Sequence, residues 1–459
     1  MQRRAFLRAG GAAGIGVGAS LTVPGSVGAS PTPVASLSAG ATPTGYEPLG
    51  SVEVPGAAEA VVGDGGDVAY LATTDGFATV DVSDPSGPDV LAERSSIEVD
   101  GDPLTDVWDV DVDGGRLAVV GPAHRTSDDV FHGIVVYDVS DPADPVRVGQ
   151  PHETGYHIHN CYLAEDLLYV VANREDENPL VVFDVSDDEP TEIGRWSLLE
   201  HEPGWADVYW RARYLHDVYV HEGVAYLAHW NAGTYLLDVS EPTDPEYLSR
   251  VMETSLEEQR DLADEDAQLG LPGNDHYSAV DENGDLLAVG REAWETGGAE
   301  PDGPGGIDLY DVSDPSAPER LASIDAPEAD DESYDGGEWT TAHNFELRDG
   351  RLYSSWYQGG VTVHDVTDPA APEALATWRD PDVAGFWTAR VAGDGDVFVA
   401  SSTSMIPETD TEGALYTFPT AVEPADPIPG LTGAAGVAGV AGGAIGLEWL
   451  RRRTEADDE

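Results

Sequence analysis

Four histidines occupy the same position in four successive segments of the chain. Each stands at the start of a short apolar run and is followed by a polar or aromatic residue, as in His159-Asn160, His216-Asp217, His276-Tyr277 and His343-Asn344. Two further segments carry tryptophan at that position, Trp108 and Trp387. Neutral imidazole is the commonest side-chain ligand for zinc, copper and iron. The pattern therefore predicts a site for a transition metal, or for another ligand, where these segments meet.

Other residues near these segments could complete such a site. The accessory candidates are His157, Trp108, Trp387, His229, Arg291 and Glu292. Two alternatives to a metal site stay open: the histidines could cap their strands by bonding to a neighbouring backbone, or they could bind a substrate without metal. Cys161 shares a strand face with His159 and is interpreted as a small buried hydrophobe. The sequence lacks GxSxG, HExxH and P-loop motifs, so it identifies no catalytic residue.

One phrase recurs along the chain and indicates the elements that position these residues. It reads DVSDP or a close variant, and its first Asp falls at 81, 138, 184, 238, 311 and 365, at intervals of 57, 46, 54, 73 and 54 residues. A period near 50 is typical of propeller blades. Each unit also reads as four short apolar, β-branched strands. Asp81 with Asp84, or Asp311 with Asp314, could hold calcium, but an Asp before Pro favours a structural turn, in which the side chain accepts from local backbone N–H groups.

A seventh, degenerate unit follows the six phrases. Residues Phe386 to Phe418 supply three strands and lack an outer fourth. The segment YEPLGSVEV, which starts at Tyr46, resembles the outer strands of the other units. An N-terminal strand that completes the last blade would close the ring and leave no open edge. The fold class expected is therefore all-β, a seven-bladed β-propeller over residues 46–420.

The repeated phrase closely resembles the LVIVD-repeat family, whose members are predicted propellers of exported bacterial and archaeal proteins. The resemblance covers residues 46–420, and six copies of the phrase make it specific for the fold. It implies export and a propeller. It implies no activity, because a fold does not fix a function.

The loops predicted on one face of the propeller differ strongly from those on the other. Turns on one side are short, such as HEG and RDG, whereas the other side carries long aromatic and charged loops, such as SLLEHEPGWADVYWRARY. Long loops on a rigid scaffold are where binding usually resides. We therefore expect function at the loop-rich face, where the histidine strands begin.

The charge of the chain is extreme. It contains 87 Asp and Glu against 22 basic residues, all of them Arg, which gives a formal net charge of -65. Such self-repulsion is screened only at high ionic strength, so the composition predicts a protein of a salt-loving, haloarchaeal-type organism. Nucleic-acid binding is not expected, because phosphate contacts need clusters of basic residues.

Both ends of the chain carry targeting patterns. Residues 1–30 resemble a twin-arginine export signal, and a Pro/Ser/Thr-rich linker spans 31–45. After a linker at 421–430, residues 431–450 form an apolar run that is just long enough for a transmembrane helix. The arginines at the start of the tail 451–459 predict a cytoplasmic C-terminus. The run also resembles tail signals that are removed before lipid attachment, and both alternatives place the propeller outside the cell.

Two functions follow from these observations. The first is a membrane-anchored, cell-surface binding or scaffold module that presents its loop-rich face to an extracellular protein or glycan. The second is a metal-dependent enzyme, an oxidoreductase or hydrolase, with His159, His216, His276 and His343 as ligands of zinc, copper or iron. Convergence of the imidazoles separates the two, because metal–nitrogen bonds are about 2.0–2.1 Å long.

Overall fold

A computed structural model describes residues 45–124, 129–174, 177–262, 266–298 and 301–422. The predicted export signal at 1–30, all but the last residue of the 31–45 linker, the 431–450 apolar run and the 451–459 tail lie outside these residues. Within the described ranges, no helix is long and apolar enough to cross a membrane.

Seven antiparallel sheets of four strands each form the propeller. The first six follow the chain, and in each the first strand is innermost. The strands of blade one are Ala60–Val62, Val68–Ala72, Gly76–Asp81 and Asp89–Ser95, and those of blade two are Val110–Asp113, Arg116–Gly121, Gly133–Asp138 and Val146–Glu153. Blade three has His157–Ala164, Leu167–Asn173, Leu180–Asp184 and Thr191–Trp196, and blade four has Asp217–His221, Val224–Ala228, Thr234–Asp238 and Glu246–Val251. Blade five has Asp275–Val280, Leu286–Arg291, Ile307–Asp311 and Glu319–Ile324, and blade six has Phe345–Arg348, Arg351–Ser355, Val361–Asp365 and Glu373–Trp378.

The seventh blade joins the two ends of the domain. Its inner three strands are Phe386–Ala392, Val397–Ser402 and Ala414–Pro419, and its outer strand is the N-terminal Gly50–Glu53. Gly50–Glu53 pairs antiparallel with Ala414–Pro419, and Gly50 lies opposite Thr417. The predicted closure by an N-terminal strand, and with it the seven-bladed all-β fold, is confirmed. Pairing of the first strand with the last leaves no open edge in the ring.

The repeated phrase forms the turn between the third and fourth strands. In blade one, Asp81 Oδ1 accepts hydrogen bonds from the backbone N–H of Ser83 at 2.9 Å and from its hydroxyl at 2.6 Å. The same pair of bonds recurs at Asp138, Asp184, Asp238, Asp311 and Asp365. Hydrogen bonding to the Ser83 side chain lowers the pKa of Asp81. Asp84 and Asp314, the residues before Pro, likewise accept the backbone N–H of Ser86 and Ser316 at 3.1 and 3.0 Å, which confirms their predicted turn role.

The core lies between blades, since both faces of each middle strand are covered. Leu180, Val181, Val182 and Phe183 are consecutive and all buried, the pattern of a strand that packs on both sides. Cys161 packs in the cluster between blades two and three as a buried free thiol, as expected.

The long connections carry the helices. A helix at Leu198–His201 and 3₁₀ turns at Pro203–Asp207 and Trp210–Arg213 join blades three and four. Helices at Leu256–Asp261 and Asp266–Leu269 join blades four and five. Additional strands Glu98–Val99 and Asp102–Pro103 form a hairpin between blades one and two. These segments lead into the starts of inner strands, so the predicted loop-rich face is the face on which the histidines lie.

Candidate functional site

In blades five and seven, a local irregularity of the inner strand turns His276 and Trp387 toward the axis. In blade five, Asp275 pairs with Arg291 and Tyr277 with Gly290, which leaves His276 as an extra residue in the ladder. Trp387 is the extra residue in blade seven in the same way. A bulge of this kind re-aims a side chain. It allows two consecutive residues of one strand to face the channel, the first at the mouth and the second deeper.

The four predicted histidines form a continuous arc at this mouth. Ring centroids lie 4.1 Å apart between His159 and His216, 4.0 Å between His216 and His276, and 4.3 Å between His276 and His343. Two tryptophans close the arc into a ring. Trp387 lies 4.3 Å from His343 and 5.7 Å from Trp108, and Trp108 lies 5.6 Å from His159. Six of the seven blades therefore contribute one aromatic side chain to the mouth, and blade one contributes Ala58.

Glu292 brings a carboxylate to two of these imidazoles. Ligand atoms of His216, His276 and Glu292 all lie within 4.8 Å of one another. Glu292 Oε2 is 3.8 Å from His276 Nε2, and Tyr357 donates a 2.6 Å hydrogen bond to the other carboxylate oxygen. In the register of blades four to six, Glu292 is equivalent to Trp230 and Tyr357. The same loop position thus points at the ring from three adjacent blades.

All four histidines are neutral at pH 7. Burial is the largest cause that lowers the pKa of His216 and of His276 well below the ordinary value, and the neighbouring imidazoles add to it. Burial lowers the pKa of His343 to about 3. In the opposite direction, burial raises the pKa of Glu292 to about 7. A neutral imidazole has a free nitrogen lone pair, which a metal ion needs.

Several imidazole nitrogens in the ring are buried without a hydrogen-bond partner among the described residues. These atoms are His216 Nδ1, His276 Nδ1 and His343 Nε2. His343 Nδ1, by contrast, donates to the carbonyl of Trp387 in the next blade. The capping alternative is thus realised at His343. A backbone carbonyl is also a common partner for the second nitrogen of a metal-bound imidazole, so this bond is compatible with both interpretations.

Three accessory candidates lie outside the ring. His229 packs against Trp196 and Tyr235, with ring centroids 5.9 and 5.5 Å away. The His157 ring stacks on Tyr214 at 6.4 Å. Arg291 forms buried ion pairs with carboxylates at the edge of blade five, among them Asp308 at 2.6 Å. Of the accessory residues, Trp108, Trp387 and Glu292 therefore join the histidines, whereas His229 and Arg291 pack away from the ring. His157 lies beside the ring: burial lowers the pKa of His159, and neighbouring imidazoles, His157 among them, add to the effect.

Aromatic residues from the long loops cover part of the mouth. Trp339 lies 4.9 Å from Trp294, 5.0 Å from Tyr334 and 5.3 Å from Tyr357, all measured between ring centroids. Tyr357 in turn lies 4.6 Å from His343. This cover leaves His276 and His343 only 2% exposed, so the ring is a sheltered site.

Directly beyond the ring, the channel widens into a cavity of about 300 Å³. Its first layer is formed by the residues that follow the mouth positions, Glu59, Asp109, Asn160, Asp217, Tyr277 and Asn344. Its second layer, two residues further along each strand, includes Asp111, Tyr162, Tyr219, Glu346 and Arg390. No sequence motif marks these acidic residues as a set. They could have been found from their spacing, because they stand one and three residues after the mouth residue of their strand.

Comparisons with known proteins agree with this architecture. The LVIVD repeat family model matches residues 57–93 and 212–253. The β-propeller domain of Cps50 (Swd1) from Myceliophteria thermophila is similar in structure, with a TM-score of 0.53 at 10% identity over 82% of this chain and 100% of that one. Hydrazine synthase from Kuenenia stuttgartiensis gives 0.53 at 12% identity over 85% and 100%. No curated protein matches. The chain is therefore a seven-bladed β-propeller in which two stretches, 57–93 and 212–253, match the LVIVD repeat.

Proposed function

We propose that this propeller is a cell-surface binding module that holds a transition metal ion at its mouth through His216, His276 and Glu292. A propeller fits a binding or scaffold role in general. The observation that carries the metal proposal is the convergence of two neutral imidazoles and one carboxylate within 4.8 Å. That convergence joins residues from blades four and five.

The donor set matches metal chemistry better than it matches a purely structural role. Two histidines and one carboxylate occur in catalytic zinc sites and in non-haem iron sites. Buried nitrogens without partners are costly unless something binds them, and His216 and His276 each have one. A metal ion would bind one nitrogen of each residue, in His276 either Nε2, which lies 3.8 Å from Glu292 Oε2, or the unpartnered Nδ1. Zinc, copper and iron all accept such ligands.

Export and anchoring complete the proposal. The twin-arginine pattern in 1–30 and the apolar run 431–450 support a propeller held at the outer membrane face. In that position the loop-rich face would meet an extracellular protein or glycan. The net charge of -65 argues against nucleic acid as a partner.

Metal binding tests the proposal directly. The full chain, kept in molar KCl and freed of metal by a chelator, is loaded with Zn²⁺, Cu²⁺ or Co²⁺ and then dialysed, and metal per chain is measured by elemental analysis. We expect one ion per chain. Substitutions His216→Gln, His276→Gln and Glu292→Gln each weaken binding by tenfold or more, because each removes one donor from a three-donor site.

Two controls make the result specific. His364 is buried in the third strand of blade six, and burial lowers the pKa of His364 to about 4, so His364→Gln matches the chemical change outside the ring. His159→Gln tests whether the whole arc or only the three-residue set binds metal. Retention of full affinity by His216→Gln would sink the proposal. So would a parent chain that holds no more metal than a variant carrying His216→Gln, His276→Gln and Glu292→Gln together.

A metal-dependent enzyme, oxidoreductase or hydrolase, is the second candidate. It is favoured by the number of donors, since three protein ligands leave a coordination position open for water or substrate. The aromatic cover over the ring would shelter such a position from bulk water. Visible absorption of the Co²⁺-loaded protein tests this candidate. An open position predicts that azide or cyanide changes the Co²⁺ spectrum, whereas an unchanged spectrum at saturating anion argues for a closed, non-catalytic site.

A further inference from the structure

We infer that the channel cavity beyond the histidine ring binds a partly hydrated divalent cation of the Mg²⁺ or Ca²⁺ class. The two sites are distinct. The mouth site offers imidazole nitrogens, whereas the cavity offers oxygen atoms from carboxylates and amides. Hard cations such as Mg²⁺ and Ca²⁺ prefer oxygen ligands.

The charge inside the cavity is unbalanced. Seven carboxylates line it: those of Glu59, Asp109, Asp111, Asp217 and Glu346 along the channel, and those of Asp281 and Glu282 at its outer end. Among the described residues, the basic groups on the lining are Arg390 and, at the outer end, Arg348 and His221. Arg390 Nη2 is 2.9 Å from Glu59 Oε1, so its charge is already shared with one acid. Buried carboxylates without a counter-charge are strongly unfavourable.

Several of these acids are held in place by backbone donors. Asp109 Oδ2 accepts the N–H of Cys161 at 2.6 Å, and Asp111 Oδ2 accepts the N–H of Leu163 at 2.6 Å. Both donors belong to the inner strand of the next blade. Such bonds fix the carboxylates in position, and Asp111 is held by both oxygens, since its Oδ1 also accepts the N–H of Val112 at 2.9 Å. The cavity wall is thus rigid before any ligand binds, which lowers the ordering cost of binding.

Two oxygen acceptors provide an independent sign of a missing ligand. Asp217 Oδ1 and Asn344 Oδ1 are buried and have no hydrogen-bond partner among the described residues. Asp217 is 2% exposed and Asn344 4% exposed, and both line the cavity. An unpartnered buried acceptor costs about 1–3 kcal/mol. A cation with its water shell would satisfy both atoms at once.

The spacing of the oxygens selects the kind of cation. The set of three ligand atoms found within 4.8 Å of one another in the described residues is the one at the mouth, and it includes no cavity acid. An ion in the cavity would therefore contact one or two carboxylates directly and reach the others through water, the mode typical of Mg²⁺. An organic ammonium is less suited, because the guanidinium of Arg390 already lies over the Tyr277 ring at 5.2 Å.

The outer end of the cavity is suited to cation entry. Asp281 and Glu282 line it there, in the turn that follows the inner strand of blade five. This end faces the short turns, away from the aromatic cover of the mouth. A cleft lined with one sign of charge raises the local concentration of ions of the opposite sign. The two sites can therefore load from opposite faces.

Calorimetric titration of the metal-free full chain with Mg²⁺ or Ca²⁺ tests the inference. Molar KCl screens the acidic surface, so binding that persists there reports a built site. We expect one ion per chain, and a Kd that rises at least tenfold in Asp217→Asn. Asp184→Asn, which makes the same chemical change at a surface turn, serves as the matched control and keeps the parent Kd.

A second measurement does not depend on any variant. Tb³⁺ replaces Ca²⁺ in oxygen sites, and excitation of nearby tyrosines sensitises its emission; Tyr162, Tyr219 and Tyr277 line this cavity. We expect emission that Ca²⁺ competes away and Zn²⁺ at one equivalent leaves intact. The inference fails if Asp217→Asn binds with the parent Kd, or if the parent shows neither stoichiometric binding nor competable emission in molar KCl. If the metal proposed at His216, His276 and Glu292 does not bind, the titration with Mg²⁺ or Ca²⁺ and the Tb³⁺ emission should still give these results, so the two proposals are tested separately.

Discussion

Removal of the Glu59 carboxylate should weaken the closure of the ring. Glu59 belongs to blade one, and its side chain accepts hydrogen bonds from Asn344 in blade six at 2.6 Å and from Thr388 and Arg390 in blade seven at 3.1 and 2.9 Å. It is 3% exposed. One buried acid therefore ties the first blade to the last two, across at least 285 residues of chain.

The magnitude follows from what the substitution leaves behind. In Glu59→Ala three donors lose their acceptor, and the Arg390 charge stays buried. Breaking one partner of a buried ion pair costs about 3–5 kcal/mol, and we expect a loss of that size in the free energy of unfolding. Glu59→Gln keeps an acceptor oxygen but no charge, so it should lose about 1–3 kcal/mol. The exposed Glu93→Ala should change stability by less than about 0.5 kcal/mol.

Urea unfolding in molar KCl without divalent cations, followed by tryptophan fluorescence, measures these differences. A double-mutant cycle with Arg390→Met isolates the pair. Combining Glu59→Ala with Arg390→Met should cost less than the two single changes added together, since no charge then remains unpaired. A loss below about 1 kcal/mol in Glu59→Ala, or strict additivity in the cycle, would refute the assignment of Glu59 as the closing contact.

Three further predictions concern charge and turns. Asp81→Ala should lower stability by about 1 kcal/mol, because Ser83 loses its acceptor, and Asp81→Asn should recover most of it in the same urea assay. Burial raises the pKa of Asp111 to about 7, above the unfolded value near 3.9. The protonated carboxyl of Asp111 therefore stabilises the folded state fully below the unfolded pKa near 3.9. This contribution to the free energy of unfolding is lost as the pH rises through about 7. From pH 5 to 8, the free energy of unfolding of the parent should therefore fall relative to that of Asp111→Asn. A difference between the two proteins that does not change with pH would contradict this. Lowering KCl should shift the urea midpoint downward in every variant, because screening of the net charge of -65 is lost; a midpoint independent of KCl would exclude repulsion as the limiting factor.

The blades and their closure could be predicted because their signals are local. The DVSDP phrase marks each turn through an Asp side chain and the Ser two residues later, and both features are visible in the sequence. The outer strand Gly50–Glu53 could be identified by its likeness to other outer strands. The common histidine position could also be aligned, because each histidine starts an apolar run.

The cavity and part of the site could not be predicted, for two physical reasons. With 87 acidic residues in the chain, composition does not distinguish the carboxylates that line the cavity from the exposed ones. The bulges that turn His276 and Tyr277 both toward the channel follow from cross-strand pairing, which strict alternation misses. The same alternation explains why His229 and Arg291 make other contacts. Each precedes by one residue the position that points at the ring.

The bulge at the mouth also has a consequence for redesign. The extra residue, such as His276, is unmatched in the strand ladder, so its side chain can be exchanged without changing strand register. Blades five and seven each carry such a replaceable position, at His276 and Trp387. Exchanging these side chains would change the donor set around one axis, which makes the scaffold a starting point for building metal centres of chosen composition.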